Sequence, residues 1–199
     1  ILVMRLKIAL ELKQNDIAER CALRIMEEFP GSPQKPDAIR ALAAAAWRGN
    51  PPQYRLTADF LRRLSKLEEK PAEKNRLSLQ VADCHFLAGD YDSAAALYLE
   101  VHSSAKSPTI SDKALSQAIN SFLATGDIEK SIDLLDEFSN VEDSDELLWK
   151  PEWNLLMHLR EHNHLKIASE RTLLILNNKE KLVPRDLTVR LLWMDASLA

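Results

Sequence analysis

The residues most able to perform chemistry are two histidines one helical turn apart, in the pattern His158-x-x-Glu161-His162. On a helix this spacing places both imidazoles on one face, where they could share a zinc ion with Glu161 as general base. A zinc hydrolase of this kind also needs a third protein ligand, and Glu170 and Glu180 are the nearby later glutamates. Neither is surrounded by a recognisable signature. We therefore expect a solvated helix end, with zinc-dependent hydrolysis as the alternative function.

A second candidate is the acidic run at 142–146, which could attract a cation. It lacks the alternating ligands and the glycine of a calcium-binding EF-hand loop. An exposed junction, with Ser144 or Asp145 capping the next helix, is the better interpretation. The sequence contains no glycine-rich phosphate loop, G-x-S-x-G elbow or cysteine–histidine nucleophile. We therefore expect a protein without catalytic residues, bound metal or cofactor.

Composition favours a globular protein that does not act on nucleic acid. The chain is 46% hydrophobic and 28% charged, enough to bury a substantial core. Its net charge of −4 argues against general nucleic-acid binding. The most basic stretch, at 60–66, is typical of the solvent-exposed face of an amphipathic helix. No apolar run is long enough for a membrane span. Cys21 and Cys84 lie in apolar periodic runs and predict buried free thiols, so they leave the compartment open.

The elements that must position these residues are marked by regularly spaced turns. Gly49, Gly89 and Gly126 each follow an apolar run and precede Asn or Asp. Glycine after a helix end readily adopts the left-handed conformation, and the next residue can cap the following helix. Asn15 and Asn163 are predicted to mark the same turn without glycine, because Asn tolerates that conformation. The five positions are separated by 34, 40, 37 and 37 residues, which indicates a helical repeat array.

The helices that follow these turns repeat at the same interval. After residue 89 the face expected to be buried follows an i, i+3, i+4, i+7, i+10 stripe, and this stripe recurs twice at 37-residue intervals. The three stripes are Tyr91, Ala94, Ala95, Tyr98 and Val101; Ile128, Ser131, Ile132, Leu135 and Phe138; and Leu165, Ala168, Ser169, Thr172 and Ile175.

The complete pattern predicts eleven helices in antiparallel pairs. Their spans are 2–13, 16–29, 36–48, 51–69, 71–88, 90–104, 109–125, 127–140, 145–162, 164–178 and 184–197. Pro151 leaves one alternative open, because proline interrupts a helix interior. Either the ninth helix is kinked or it begins near Lys150.

These features resemble tetratricopeptide (TPR) repeats. Ala94-x3-Tyr98 and Pro108 are similar to the Ala-x3-Phe pattern and late proline of the family, and residues 89–92 resemble its usual turn between helices. The early tryptophan of the family is missing, so these repeats are degenerate. The resemblance covers nearly the whole chain and is closest over 75–178.

The resemblance implies an all-α, right-handed α-solenoid of about five antiparallel helix pairs plus a terminal helix, in one array over 1–199. The stretch at 29–33 is also similar to repeat junctions of bacterial TPR proteins, which implies a bacterial protein of the cytoplasm or of the periplasm and envelope. The final helix is apolar enough to need a partner. We therefore expect that further repeats beyond Ala199, or an oligomer, cover it.

The resemblance also implies a non-enzymatic interaction or assembly scaffold that binds a protein or peptide partner in a concave groove. The groove positions of the family fall on Arg76, Leu79, Asp83 and Phe86 in one repeat and on Lys113, Ser116, Asn120 and Leu123 in the next. Asn120 is similar to an asparagine with which some family members hold a peptide backbone or terminal carboxylate. In those proteins a lysine accompanies this asparagine. The corresponding positions of the two repeats are occupied here by Leu79 and Ser116.

Overall fold

The computed structural model describes residues 1–139, 145–177 and 183–198, and in these ranges every regular element is an α-helix. Residues 142–144 of the acidic run and Glu180 lie outside the described residues, and so does the side chain of Phe138. The helices are α1 Leu2–Glu11, α2 Asn15–Glu28, α3 Lys35–Arg48, α4 Tyr54–Leu67, α5 Pro71–Leu87, α6 Tyr91–Ser104, α7 Pro108–Thr125, α8 Ile128–Ser139, α9 Asp145–Glu161, α10 Leu165–Asn177 and α11 Arg185–Leu198.

The predicted helices agree with the observed ones to within three residues at every end. The largest difference is the start of α4, which was predicted at 51 and lies at Tyr54. Pro51 precedes Pro52, and a residue before proline is disfavoured in the helical conformation. The helix α9 continues through Pro151, so the alternative start near Lys150 is wrong.

The described helices fall into two compact units, Ile1–Ser111 and Asp112–Ala199. In the first unit each helix from α1 to α6 packs against the next along the chain, and in the second unit α8, α9, α10 and α11 do the same. Packing between consecutive helices is the arrangement expected of a helical repeat protein. The predicted all-helical fold class is therefore confirmed. That the two units form one continuous array stays a prediction.

The core of the first unit is rich in small side chains. Six alanines on α2 and α3 are buried, which allows the helix backbones to approach closely. The cluster at the start of the unit contains Leu6, Ala9, Ala18, Cys21, Ala22, Ile25, Ala38, Ala41 and Leu42.

Three of the predicted turn residues adopt the left-handed conformation. The φ angles are +76° at Gly89, +82° at Gly126 and +63° at Asn163. After Gly126, the carboxylate of Asp127 accepts a hydrogen bond from the backbone N–H of Lys130 at 3.1 Å, as expected of a residue that caps α8. These turns each end one helix and begin another.

The other two turn predictions need correction. Asn15 is the first residue of α2, and the left-handed residue of this turn is Lys13, with φ +56°. Gly49 has φ −54°, so its role is not left-handed. A Cβ atom at Gly49 would lie 3.2 Å from the carbonyl oxygen of Pro51 and 3.3 Å from that of Ala46. Glycine suits this position because the backbone approaches itself closely there.

Most of the predicted second-helix stripes are buried. The buried members are Ala94, Ala95, Tyr98, Val101, Ser131, Leu135, Ala168, Thr172 and Ile175. Leu165 is exposed, so its predicted burial is wrong; it is the first residue of α10, where the helix has only begun to pack. The hydroxyls of Ser131 and Thr172 donate to carbonyl oxygens four residues earlier, at 2.9 and 2.7 Å, which satisfies two polar groups inside the stripe.

Polar contacts hold the reversal between α5 and α6 against α4. Arg62 donates from Nη2 to Nε2 of His85 at 2.7 Å, and His85 donates from Nδ1 to Oδ2 of Asp90 at 2.9 Å. The bond from His85 is the main reason that the pKa of Asp90 is lowered, and hydrogen bonding with Ser93 lowers it further. Asp90 lies at the N-cap of α6, so one carboxylate serves the turn and the packing of two helices.

A buried ion pair joins helices in the second unit. Arg171 of α10 donates from Nε and Nη2 to the two carboxylate oxygens of Glu152 on α9, at 2.8 and 2.6 Å. The side chains of Arg171 and Glu152 are only 9% and 5% exposed, and Arg171 also contacts Asp136 of α8 at 3.0 Å. Because both charges are removed from water, loss of Arg171 leaves Glu152 without this partner, and loss of Glu152 leaves the buried Arg171 with the exposed carboxylate of Asp136.

We expect Gly89→Val to lower the free energy of unfolding by about 1 kcal/mol or more, because a β-branched residue resists a positive φ. An added Cβ would meet no atom within 4 Å, so the cost is that of the backbone conformation. The matched control is Gly31→Val, since Gly31 has equally open space and no left-handed φ. Equal losses for the two variants in urea unfolding would contradict the turn assignment.

We expect Glu152→Ala to lower the free energy of unfolding by about 3–5 kcal/mol, because it leaves the Arg171 charge buried without its bidentate partner. The double variant Glu152→Leu/Arg171→Met should lose less than Glu152→Ala alone. Glu28→Ala is the control, because it removes a similar contact from the exposed Arg24 and should change stability little. A double variant as unstable as the sum of its single variants would disprove the coupling.

Candidate functional site

The first unit has a concave groove of about 610 Å³ formed by α3, α4 and α5. We call it the α3–α5 groove. Its lining residues are Arg40, Ala43, Ala44, Trp47 and Arg48 from α3; Thr57, Leu61 and Leu64 from α4; and Glu73, Arg76, Leu77, Gln80, Asp83 and Cys84 from α5.

Helical periodicity explains why these residues line the same surface. On α3 they follow an i, i+3, i+4, i+7, i+8 stripe from Arg40, and on α5 an i, i+3, i+4, i+7 stripe from Glu73 that continues to Cys84. Residues at these intervals share one face of a helix. Each wall of the groove is therefore a single helical face.

The interior of the groove is mainly apolar. Ala43, Leu64 and Cys84 are buried beneath it, and Leu61 and Leu77 are half-buried at its walls. Trp47 is 43% exposed, an unusual position for a large aromatic side chain. Its ring meets the ring of Tyr54 edge to face, with centroids 5.4 Å apart, so the exposed indole is held in place.

Three arginines form part of the polar lining. Arg76 contacts Glu73 at 3.1 Å, and Arg40 contacts Asp37 at 3.0 Å. Arg48 donates instead to the side-chain oxygen of Asn15, a neutral partner that does not balance its charge. The groove therefore combines an apolar floor with oriented charged groups.

The structure brings only part of the predicted groove set of the first unit into this groove. Arg76 and Asp83 line it. Leu79 is buried, with 7% exposure, and Phe86 packs edge to face against Tyr91 at a centroid distance of 5.1 Å, so neither lines it. Partner binding at these four positions stays a prediction.

Asp83 also has a partner within its own unit. The hydroxyl of Tyr98 donates to Oδ1 of Asp83 at 2.6 Å. Burial, and then the hydrogen bond to Asp83, raise the pKa of Tyr98. Asp83 therefore joins the groove wall on α5 to the core of α6.

The predicted residues of the second unit lie on α7, each in a different setting. Lys113 is exposed, Ser116 is half-buried and Leu123 is buried. Asn120 donates to Gln117 at 2.9 Å and accepts a hydrogen bond from Asn154 of α9 at 2.9 Å. Its amide thus links two helices of its own unit, and partner binding at these four positions stays a prediction.

The histidines of the zinc-hydrolase alternative lie together at the end of α9. The rings of His158 and His162 are stacked, with centroids 4.0 Å apart. Burial, and then the charge of His162, lower the pKa of His158. Glu170 is exposed and lies 3.9 Å from Lys166. The described residues contain no group of three or more His, Cys, Asp or Glu side chains that could hold a metal, so nothing supports a zinc hydrolase.

The last described helix keeps an exposed apolar face. Leu187, Leu191 and Met194 of α11 are buried, whereas Leu192 and Trp193 are exposed. Arg160 lies over the Trp193 ring at 4.7 Å and shields part of it. The covering of α11 by further repeats or by an oligomer stays a prediction. Among the described helices, none is both long and apolar enough to cross a bilayer.

Comparison with known proteins supports the fold. The chain is similar to a crystal structure of nearly identical TPR-like repeats from a Podospora anserina protein assigned as a kinesin light chain, with a TM-score of 0.56, 12% identity, and coverage of 98% of this chain and 93% of that chain. No family model and no curated protein matches the chain. The chain therefore has a TPR-like helical repeat fold, as predicted. A bacterial origin stays a prediction.

The thiol of Cys84 provides a test of the groove floor. Burial, and then the charge of Asp83, raise its pKa to about 11. Because the thiolate is the reactive form, we expect Cys84 of the folded protein to react with iodoacetamide at pH 8 at least tenfold more slowly than in urea. Mass spectrometry of the alkylated peptides separates Cys84 from Cys21. Equal rates in folded and unfolded protein would show that the floor is open.

Proposed function

We propose that this protein is a non-enzymatic interaction module that binds a segment of a partner protein in the α3–α5 groove. The observation that carries the proposal is an apolar groove with fixed polar groups at its walls, built on a TPR-like fold. Recognition sites combine apolar area with a few placed polar groups, because the former supplies affinity and the latter orientation.

The dimensions of the groove fit a chain segment. The stripe on α5 runs from Glu73 to Cys84, which at 1.5 Å per residue is about 16 Å. An extended chain advances about 3.3 Å per residue, so about five residues can lie along this wall. A segment of this length presents alternate side chains to the groove, and apolar ones would contact Trp47 and Leu77.

The groove is organised before a partner arrives. The ring of Trp47 is packed on Tyr54, and the guanidinium groups of Arg40 and Arg76 are held by carboxylates on their own helices. A side chain that is already ordered loses less conformational entropy on binding. The helices of the first unit pack against their neighbours, so the walls of the groove are fixed before a partner binds.

The proposal is tested by selecting peptides from a random display library on the purified chain and measuring their affinities for variants. We expect Trp47→Ala to weaken binding at least tenfold, because buried aromatic anchors contribute most to such interfaces. Gln80→Ala should weaken it less.

The matched control is Trp193→Ala, which removes an exposed tryptophan, 52% exposed, from the second unit. It should leave the affinity unchanged. Phe86→Ala and Asn120→Ala test the positions implied by the TPR resemblance. If these variants weaken binding and Trp47→Ala does not, the assignment to the α3–α5 groove is wrong.

A further inference from the structure

The two units carry net charges of opposite sign. The first unit, Ile1–Ser111, has 16 Lys and Arg residues against 14 Asp and Glu, which is a net charge of +2. The second unit, Asp112–Ala199, has 10 Lys and Arg residues against 16 Asp and Glu, which is a net charge of −6. Unlike units of two copies can therefore attract each other, although the whole chains carry the same charge.

The positive charge of the first unit includes an exposed cluster on α4. Arg62, Arg63 and Lys66 are exposed there in the pattern R-R-x-x-K, and we call these three residues the basic face of α4. Arg62 contacts Asp59 at 3.2 Å, whereas Arg63 and Lys66 form no ion pair within the part of the chain that the structure describes. Helical periodicity places them on a different side of α4 from the residues that line the α3–α5 groove.

The second unit has a matching acidic cluster on α8. Asp133, Asp136 and Glu137 are exposed there in the pattern D-x-x-D-E, and we call these three residues the acidic face of α8. Asp136 contacts Arg171 at 3.0 Å and its side chain is still 61% exposed, whereas Asp133 and Glu137 form no ion pair with any described residue.

The two faces are complementary when their helices run in opposite directions. The intervals between the acids, taken from 137 back to 133, equal those between the cations from 62 to 66. An antiparallel α4–α8 contact can therefore bring each cation near an acid, and such charge matching fixes the register of a contact. The pairs are Arg62 with Glu137, Arg63 with Asp136, and Lys66 with Asp133.

We propose that the protein self-associates by antiparallel docking of the basic face of α4 in one copy on the acidic face of α8 in another. A second copy is the occupant that the structure supports, because both complementary faces belong to this chain. The contact joins exposed charges, so it is weak and is screened by salt. This inference is independent of the α3–α5 groove, which lies on a different side of α4.

Sedimentation velocity of the full chain over a concentration series tests the proposal at about 0.01 M and about 1 M salt, where the Debye lengths are about 30 and 3 Å. We expect the sedimentation coefficient to rise with protein concentration at low salt and to keep the monomer value at high salt. A monomer at low salt, or association that persists at high salt, overturns the proposal. If a monomer at low salt binds vesicles of anionic phospholipid, the basic face serves a membrane surface instead.

A charge swap at one pair identifies the two faces. Lys66→Glu and Asp133→Lys should each weaken association at low salt by about fivefold or more, because each brings like charges together. The double variant Lys66→Glu/Asp133→Lys should restore the affinity to within about threefold of the wild type, because the pair is reversed and attractive again.

Arg20→Glu is the matched control for this swap. It removes an exposed cation of α2 and changes the net charge by the same amount as Lys66→Glu, so it should alter association little. A double variant that associates no better than its single variants overturns the proposal, and so does an equal loss for Arg20→Glu.

Discussion

The structure depends on how the chain reverses direction after each of four helices. At Lys13, Gly89, Gly126 and Asn163 a left-handed residue allows the same two backbone hydrogen bonds to form. At Gly89 they run from its own N–H to the carbonyl of Phe86 at 3.0 Å, and from the next N–H to the carbonyl of His85 at 2.9 Å. The last carbonyls of the helix are thereby satisfied within the turn. The helices joined at Lys13, Gly89 and Asn163 pack on each other, and each can bury one stripe that it could not bury alone.

The groove follows from the same arrangement. When α3, α4 and α5 bury one face against their neighbours, the faces left over meet around a shared space. The small side chains Ala43 and Ala44 leave that space open, and Trp47 borders it. The groove residues on which the proposed function rests thus lie on helix faces that do not pack against a neighbouring helix.

Periodicity made the helices and their buried stripes predictable, because it directly reflects which face of a helix leaves water. The turn predictions at Asn15 and Gly49 were wrong for physical reasons that the residue types alone do not reveal. Lysine has no preference for the left-handed conformation, so Lys13 gives no signal, and Gly49 is required by close backbone approach rather than by φ. The α3–α5 groove contains Arg76 and Asp83 of the predicted partner-binding positions, and its other α5 residues depend on how α5 packs against α3 and α4, which the sequence does not give. The pair Arg171–Glu152 joins residues 19 positions apart, and only packing of α9 on α10 reveals it.

Fluorine NMR of the protein labelled with 5-fluorotryptophan, with and without a display-selected peptide, tests the central claim most directly. The chain has four tryptophans, and Trp47 alone among them lines the α3–α5 groove. Trp149, Trp153 and Trp193 lie in the second unit and act as internal controls. Binding in the groove predicts that the Trp47 resonance shifts at saturation while the other three stay in place. An unchanged Trp47 resonance, or shifts confined to Trp153 and Trp193, would contradict it.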